Sequence, residues 1–224
     1  KGWQNNMYQK IKRVIDFILS LMGCIVASPF FLILCIAIKI DSKGPIFFCQ
    51  KRVGIHKKHF NILKFRTMRI DTPKDCPTHL LENPEQYITK VGKFLRKTSL
   101  DELPQVLNIL VGQMSIVGPR PERPELAEKY TEENPEFAMR LKVKAGITGF
   151  AQVYGRYNTP AIEKAQMDAY YIRKASVLMD LRLILATVKV LFMKESSEGV
   201  VTESKTENRA ENKAYKMIKE RETA

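Results

Sequence analysis

The chain has 224 residues and a formal net charge of +13, with 37 Lys and Arg against 24 Asp and Glu. Its length suits one domain with its own core, and its charge asks for an anionic partner: phosphoryl groups or an anionic lipid surface. No nucleic-acid-binding signature accompanies that charge, which sets nucleic acid aside, and four cysteines without Cys-x-x-Cys spacing, with three scattered histidines, set aside a zinc or disulfide framework.

Lys10, Lys12 and Arg13 introduce an apolar run, Val14 to Ile38, whose only charge is Asp16. At about 1.5 Å per residue the run matches a hydrocarbon core of roughly 30 Å. It is too long for a signal peptide, and no small-residue cleavage site follows. Ser28-Pro29 sits near its middle, where proline removes a helix hydrogen bond. Lys39, Lys43, Lys51 and Arg52 follow the run as closely as the first cations precede it. Cations favour the cytoplasmic side, so both ends read as lying there, in a re-entrant helix that dips into the membrane and returns. A kinked single span is the alternative. Asp16 would sit at headgroup level beside Arg13.

Ile46 to Gln50 and Phe60 to Phe65 read as two short strands, with the turn around Gly54, Lys57 and Lys58. Lys64-Phe65-Arg66-Thr67-Met68 closes that hairpin. From Asp71 to Pro84, three prolines and no periodicity predict a surface loop. Val91 to Lys97 reads as a short basic helix. In the next helix Leu103, Val106, Leu107 and Leu110 share a core face, and Gly112 ends it.

Between these helices lies Arg96-Lys97-Thr98-Ser99-Leu100-Asp101-Glu102-Leu103-Pro104-Gln105. Ser99-x-x-Glu102 fits a capping box at a helix start. A helix start beside Arg96 is also an anion site, and a carboxylate kept ionised there is a candidate nucleophile or metal ligand. The two readings are compatible. Further on, Pro124 to Glu133 and Pro135 to Lys142 begin with prolines suited to a first helical turn. Ala145 to Pro160 reads as a Gly- and Pro-rich loop carrying Gln152 and Arg156, of a kind that lets backbone amides approach a phosphate. Ala161 to Lys174 and Leu178 to Met193 are amphipathic helices. In the second, Leu181, Ile184, Val188 and Leu191 form an apolar face for the core, a membrane-surface contact remaining open. The polar tail beyond Glu195, with a charged helix over about Ala210 to Arg221, is expected to be disordered or to meet a partner.

Three motifs in order, Ser99-Leu100-Asp101-Glu102-Leu103-Pro104-Gln105, then Met114 through Pro121 with Gly118-Pro119-Arg120-Pro121, then Gly146-Ile147-Thr148-Gly149-Phe150-Ala151-Gln152-Val153-Tyr154-Gly155-Arg156, resemble the bacterial sugar transferases. These are monotopic phosphoglycosyl transferases acting on polyprenyl phosphate. The resemblance runs from about Lys12 to Lys194. Glu122-Arg123-Pro124-Glu125 and Tyr154-Gly155-Arg156-Tyr157 look most like the catalytic domain of the family's large members, so the chain, which begins at Lys1, reads as a fragment of such a protein.

The fold expected is α+β: a flank and re-entrant membrane helix over 1–44, a cytosolic catalytic domain over 45–194 with a small antiparallel hairpin and short helices, and a tail over 195–224. The resemblance implies transfer of a sugar-1-phosphate from a UDP-sugar to polyprenyl (undecaprenyl) phosphate with release of UMP, at the cytoplasmic face of a bacterial inner membrane, as the first membrane step of polysaccharide or glycoconjugate assembly. It implies Asp101 as nucleophile and Mg²⁺ ligand, and Glu102 as helper to the acceptor phosphate or the metal. Arg96 and Arg120 bind phosphoryl oxygens in this reading, and Lys64, Gln152 and Arg156 contact the UDP-sugar. A homodimer is left open by the large members. Two alternatives stand beside this reading: an ordinary glycosyltransferase that releases UDP, and a non-catalytic membrane scaffold. The sugar itself is not legible beyond a leaning toward a hexose.

Overall fold

The computed structural model describes residues 6–72, 84–155 and 159–192. Residues 73–83 of the expected loop and the whole tail lie outside that range, as does Arg156. In chain order the elements are α1 (Asn6–Asp41), β1 (Phe47–Val53), β2 (His59–Phe65), α2 (Lys90–Lys97), α3 (Gln105–Leu110), β3 (Ser115–Val117), α4 (Pro124–Glu133), β4 (Gly146–Thr148), α5 (Phe150–Tyr154), α6 (Ala161–Lys174) and α7 (Val177–Phe192). Pro135–Lys142 winds as a 3₁₀ helix. The mixed, helix-rich fold with one small antiparallel sheet and one long apolar N-terminal helix agrees with the expected class.

The helix α1 is long and apolar enough to cross a membrane, and little of its most apolar stretch is buried inside the protein. It continues through Pro29 as one helix. The carbonyl that an N–H at position 29 would have taken is that of Ile25, four residues back. Ile25 O accepts instead from the Ser28 hydroxyl at 2.8 Å. The Ser-Pro pair thus repairs the rung that proline removes, as polar side chains do where no water can help.

The contacts divide the chain into two units, Lys1–Arg13 with Val53–Lys58 and Ser115–Ala224, and Val14–Arg52 with His59–Met114. The second unit is built on the body of α1. Leu34 and Ile38 pack with Phe65 of β2 and Leu95 of α2. The Phe31 ring lies 4.8 Å from Phe65, on which Phe47 stacks at 5.8 Å. The hairpin β1–β2 is longer than its apolar residues alone predict, because the basic stretch Lys51–Val53 joins the ladder. Its turn places His56 and Lys57 in the left-handed region. In α3 the buried residues are Gln105, Asn108 and Ile109, while Leu103, Val106, Leu107 and Leu110 are only partly covered. The reason is Asn108, which accepts from Leu63 N–H at 3.0 Å and donates to Asn61 O at 2.9 Å, turning this face onto β2. Gly112 stops the helix as expected, at φ +86°.

The first unit contains a parallel pair that sequence did not show. β3 pairs with β4, Ser115 opposite Gly146 and Val117 opposite Thr148. Part of the expected Gly-rich loop is therefore β4 and α5. A Cβ on Gly146 would stand 2.1 Å from Gly118 N, and one on Gly118 would stand 2.4 Å from Lys144 O. These glycines admit backbone to backbone. Val117, Val143, Tyr171, Ile172 and Leu183 form the core with Tyr8 from the first turn of α1. In α7 the inward residues are Asp180 and Leu183, with Ile184 partly covered, while Leu181, Leu185 and Val188 face outward. The expected core face is thus rotated. The helix is apolar on most sides, so hydrophobicity alone does not orient it. Asp180 does, through Tyr8, Lys12 and Tyr171.

Candidate active site

The carboxylate pair sits where a helix has just been stopped. Thr98 closes α2, its hydroxyl donating to Phe94 O at 2.9 Å. Ser99 then takes φ +56°, ψ +15°, and Leu100–Glu102 form a single 3₁₀ turn. The capping box does not form, because Ser99 makes no side-chain cap bond. A capping serine needs extended backbone, whereas Ser99 is left-handed because it terminates α2.

Asp101 and Glu102 are 16% and 19% exposed at their side chains, and Lys64 is 18% exposed. Lys64 Nζ reaches Glu102 Oε1 at 2.5 Å and lies 3.9 Å from Asp101 Oδ2. Lys64 reaches them from the end of β2, whose Phe65 is locked in the core. Strand alternation sends neighbouring side chains to opposite faces, so anchoring Phe65 aims Lys64. Arg96, in the last turn of α2, donates from Nε to Thr67 Oγ1 at 2.9 Å. Burial pushes the Asp101 carboxyl above its ordinary range. Lys64 pulls it down, Glu102 pushes it up and Arg96 pulls it down, in that order of size. The help expected from a helix start is missing: the turn is too short to supply a helix N-terminus, and desolvation outweighs both cations. Burial likewise lowers the Arg96 guanidinium, opposed by Asp101 and Glu85.

The second unit thus brings together Lys64, Arg96, Asp101 and Glu102. Among the described residues no group of three metal-ligating side chains gathers. A hard divalent ion held by one or two carboxylates and a substrate's phosphates needs no such group, and Asp101 beside Glu102 is a donor set of that kind.

The other sequence candidates lie in the first unit. Arg120 is exposed between buried Pro119 and Pro121, and its carbonyl accepts from Arg140 Nη2 at 3.0 Å. Arg140 was not singled out by sequence. It is buried over the Phe137 ring, its Nη1 is 3.5 Å from Glu122 Oε1 and its Nε is 2.7 Å from Asp168 Oδ2. The Asp168 contact is close, but its alignment is that of an ion pair and not of a hydrogen bond. Burial pushes the Asp168 carboxyl up to about 6 against the pull of Arg140. Gln152, on α5, donates to Ile147 O at 2.9 Å, while its buried Oε1 has no hydrogen-bond partner among the described residues.

Comparison with known proteins gives a consistent answer. The family described as "Bacterial sugar transferase" matches residues 7–194. A UDP-glucose:undecaprenyl-phosphate glucose-1-phosphate transferase from Klebsiella pneumoniae is 42% identical over 198 residues, 86% of this chain and 42% of the relative. A UDP-N-acetylgalactosamine-undecaprenyl-phosphate N-acetylgalactosaminephosphotransferase from Aeromonas hydrophila is 35% identical over 188 residues, 83% of this chain and 44% of the relative. An exopolysaccharide production protein from Rhizobium leguminosarum bv. phaseoli is 38% identical over 186 residues, covering 80% of this chain and 93% of the relative. The chain therefore spans about two-fifths of the longer relatives and nearly all of a short one.

Proposed function

This chain belongs to the bacterial sugar transferase family, and from that premise we propose that it moves a sugar-1-phosphate from a UDP-sugar to undecaprenyl phosphate and releases UMP. The observation that carries this reading is the Asp101–Glu102 pair, largely buried yet still reached by solvent, with Lys64 between the two carboxylates.

The chemistry follows from the carboxylates. An ionised Asp101 oxygen attacks the sugar-linked phosphorus of the UDP-sugar. The bond from that phosphorus to the bridging oxygen breaks, and UMP leaves with the electron pair. The phosphosugar is then an acyl phosphate on Asp101. An oxygen of the lipid phosphate attacks the same phosphorus, the aspartyl bond breaks, and Asp101 returns as a carboxylate. Glu102 takes the proton of the incoming lipid phosphate. Arg96 and Arg120 offer forked donors to phosphoryl oxygens, and Gln152 and Arg156 contact the nucleotide-sugar. Mg²⁺ held by Asp101, with Glu102 beside it, would neutralise diphosphate charge. Lys64 meanwhile keeps Glu102 in place and favours the ionised form of Asp101. The donor sugar is a hexose, glucose first, following the names of the relatives.

The membrane arrangement belongs to the same proposal. The apolar α1 enters the cytoplasmic face of the inner membrane and returns, with cations at both ends on one side. Labelling near Lys10 and near Lys43 from the cytoplasmic side is the expected result; labelling of the two ends from opposite sides means a span.

The test of mechanism is acceptor-free exchange. With no lipid phosphate present, the enzyme returns labelled UMP into UDP-sugar, because the first step is reversible. Asp101→Asn is expected to lose that exchange by about a thousandfold or more. Glu102→Gln retains part of it while net transfer fails. Release of UDP in place of UMP would identify an ordinary glycosyltransferase, and release of neither a scaffold.

A further inference from the structure

Arg66 is a large cation whose charge is supported by the nearby Asp41 carboxylate against the cost of burial. It is buried, and its guanidinium is spent on main-chain oxygens. Nη2 donates to Ser42 O at 2.8 Å, Nη1 to Lys43 O at 3.0 Å and Nε to Pro45 O at 2.6 Å. Its own N–H donates to Ile46 O at 2.9 Å. Those carbonyls belong to the turn by which the chain leaves α1, where a helix presents unpaired acceptors and its negative dipole end. Gly44 wraps the turn around the guanidinium at φ +125°, and a Cβ there would meet Ile70 Cδ1 at 2.7 Å.

The neighbours of Arg66 give this grip its consequence. Two residues before it, Lys64 holds the carboxylate pair. One residue after it, Thr67 accepts from Arg96. The Asp41 carboxylate, at the last residue of α1, accepts from Val91 N–H at 2.8 Å, at the start of the helix that carries Arg96. Residues 64–67 therefore tie the end of the apolar helix and the reacting groups to one short rigid segment, within one unit.

We propose that Arg66 is a positioning residue that fixes where α1 ends relative to Lys64, Asp101 and Glu102, and so sets where a lipid-borne phosphate meets Asp101. This rests on the reaction proposed above. The asymmetry is physical. A lipid phosphate has its height set by the bilayer in which α1 is held, so it registers any change between helix end and site. A UDP-sugar arrives from water and does not.

The test uses the full chain in lipid nanodiscs and two variants. Arg66→Lys keeps the charge, but an ammonium lacks the planar fork that spans three carbonyls. Gly44→Ala keeps the Arg66 side chain and strains the turn that it grips, through the positive φ and the contact with Ile70. For both, the KM for undecaprenyl phosphate is expected to rise about tenfold, while acceptor-free exchange of UMP into UDP-sugar stays within about twofold of wild type. An unchanged acceptor KM overturns the proposal, as does a parallel fall of exchange and transfer. If Arg66→Lys does not fold, Gly44→Ala is read alone; if neither folds, Arg66 serves the fold and the proposal fails. If wild-type enzyme shows no exchange, the two-step reaction is what has failed. The positioning role is then read from the acceptor KM against the UDP-sugar KM in net transfer.

Discussion

Asp101 and Asp180 are both aspartates beside a lysine, and the structure treats them in opposite ways. Asp180 gathers Lys12 Nζ and Tyr8 Oη on one oxygen, at 2.7 and 2.8 Å, and Tyr171 Oη on the other at 2.7 Å. Burial, followed by Asp180 itself, drives the Tyr171 hydroxyl well above its usual range, so it remains a donor. Asp101 has a lysine at 3.9 Å, a like charge next door, and a partly open side chain. A carboxylate with its lone pairs filled by buried donors fastens elements together. One that is desolvated but under-bonded keeps an oxygen for a reaction.

The largest effect that would break this contrast is on stability. Asp180→Asn leaves the Lys12 ammonium buried without its charge partner, a loss of about 3–5 kcal/mol. The thermal midpoint should fall sharply while exchange per folded molecule is kept. A variant that melts normally but does not turn over would place Asp180 among the reacting groups. Next in size is Arg120→Lys, which keeps charge and gives up the fork. A loss of about tenfold in turnover, one charged hydrogen bond's worth, is expected without change in melting. Near-normal kinetics would make Arg120 a general cation. The smallest effect sharpens the comparison through pH. Asp101 acts ionised and its carboxyl is raised, so activity falls as pH drops through a value above the ordinary carboxylate range. Removing the cation that pulls it down, in Lys64→Met, should move that acid limb of the exchange–pH profile further up. Glu102→Gln should move it down. A limb unmoved by either substitution would mean that another group sets it.

Much of this was legible in the sequence, and the misses share a cause. The adjacent carboxylates, the Gly112 stop and the helices read from Val91, Pro124 and Ala161 came from runs of a few residues, and the structure has them within a residue or two; the apolar helix is there too, but starts eight residues before its apolar run, at Asn6. The three-residue strands β3 and β4 were not, because each is too short for alternation and their pairing joins segments some thirty residues apart. The capping box failed because Ser99 serves the helix behind it, and pattern alone cannot say which neighbour claims a residue.

What the sequence by itself determined is what local chemistry dictates. A run of that length with a single charge forms an apolar helix, Ser28 stands where Pro29 leaves a carbonyl bare, and Asp101 and Glu102 are neighbours whatever the fold. Only the tertiary structure decided that Lys64 reaches those carboxylates, that Arg66 closes the exit of α1, and that Asp180 turns α7 inward onto Tyr8 and Lys12. Such partners are set by loop closure and by the need to satisfy each buried charge. Neither leaves a periodic trace along the chain.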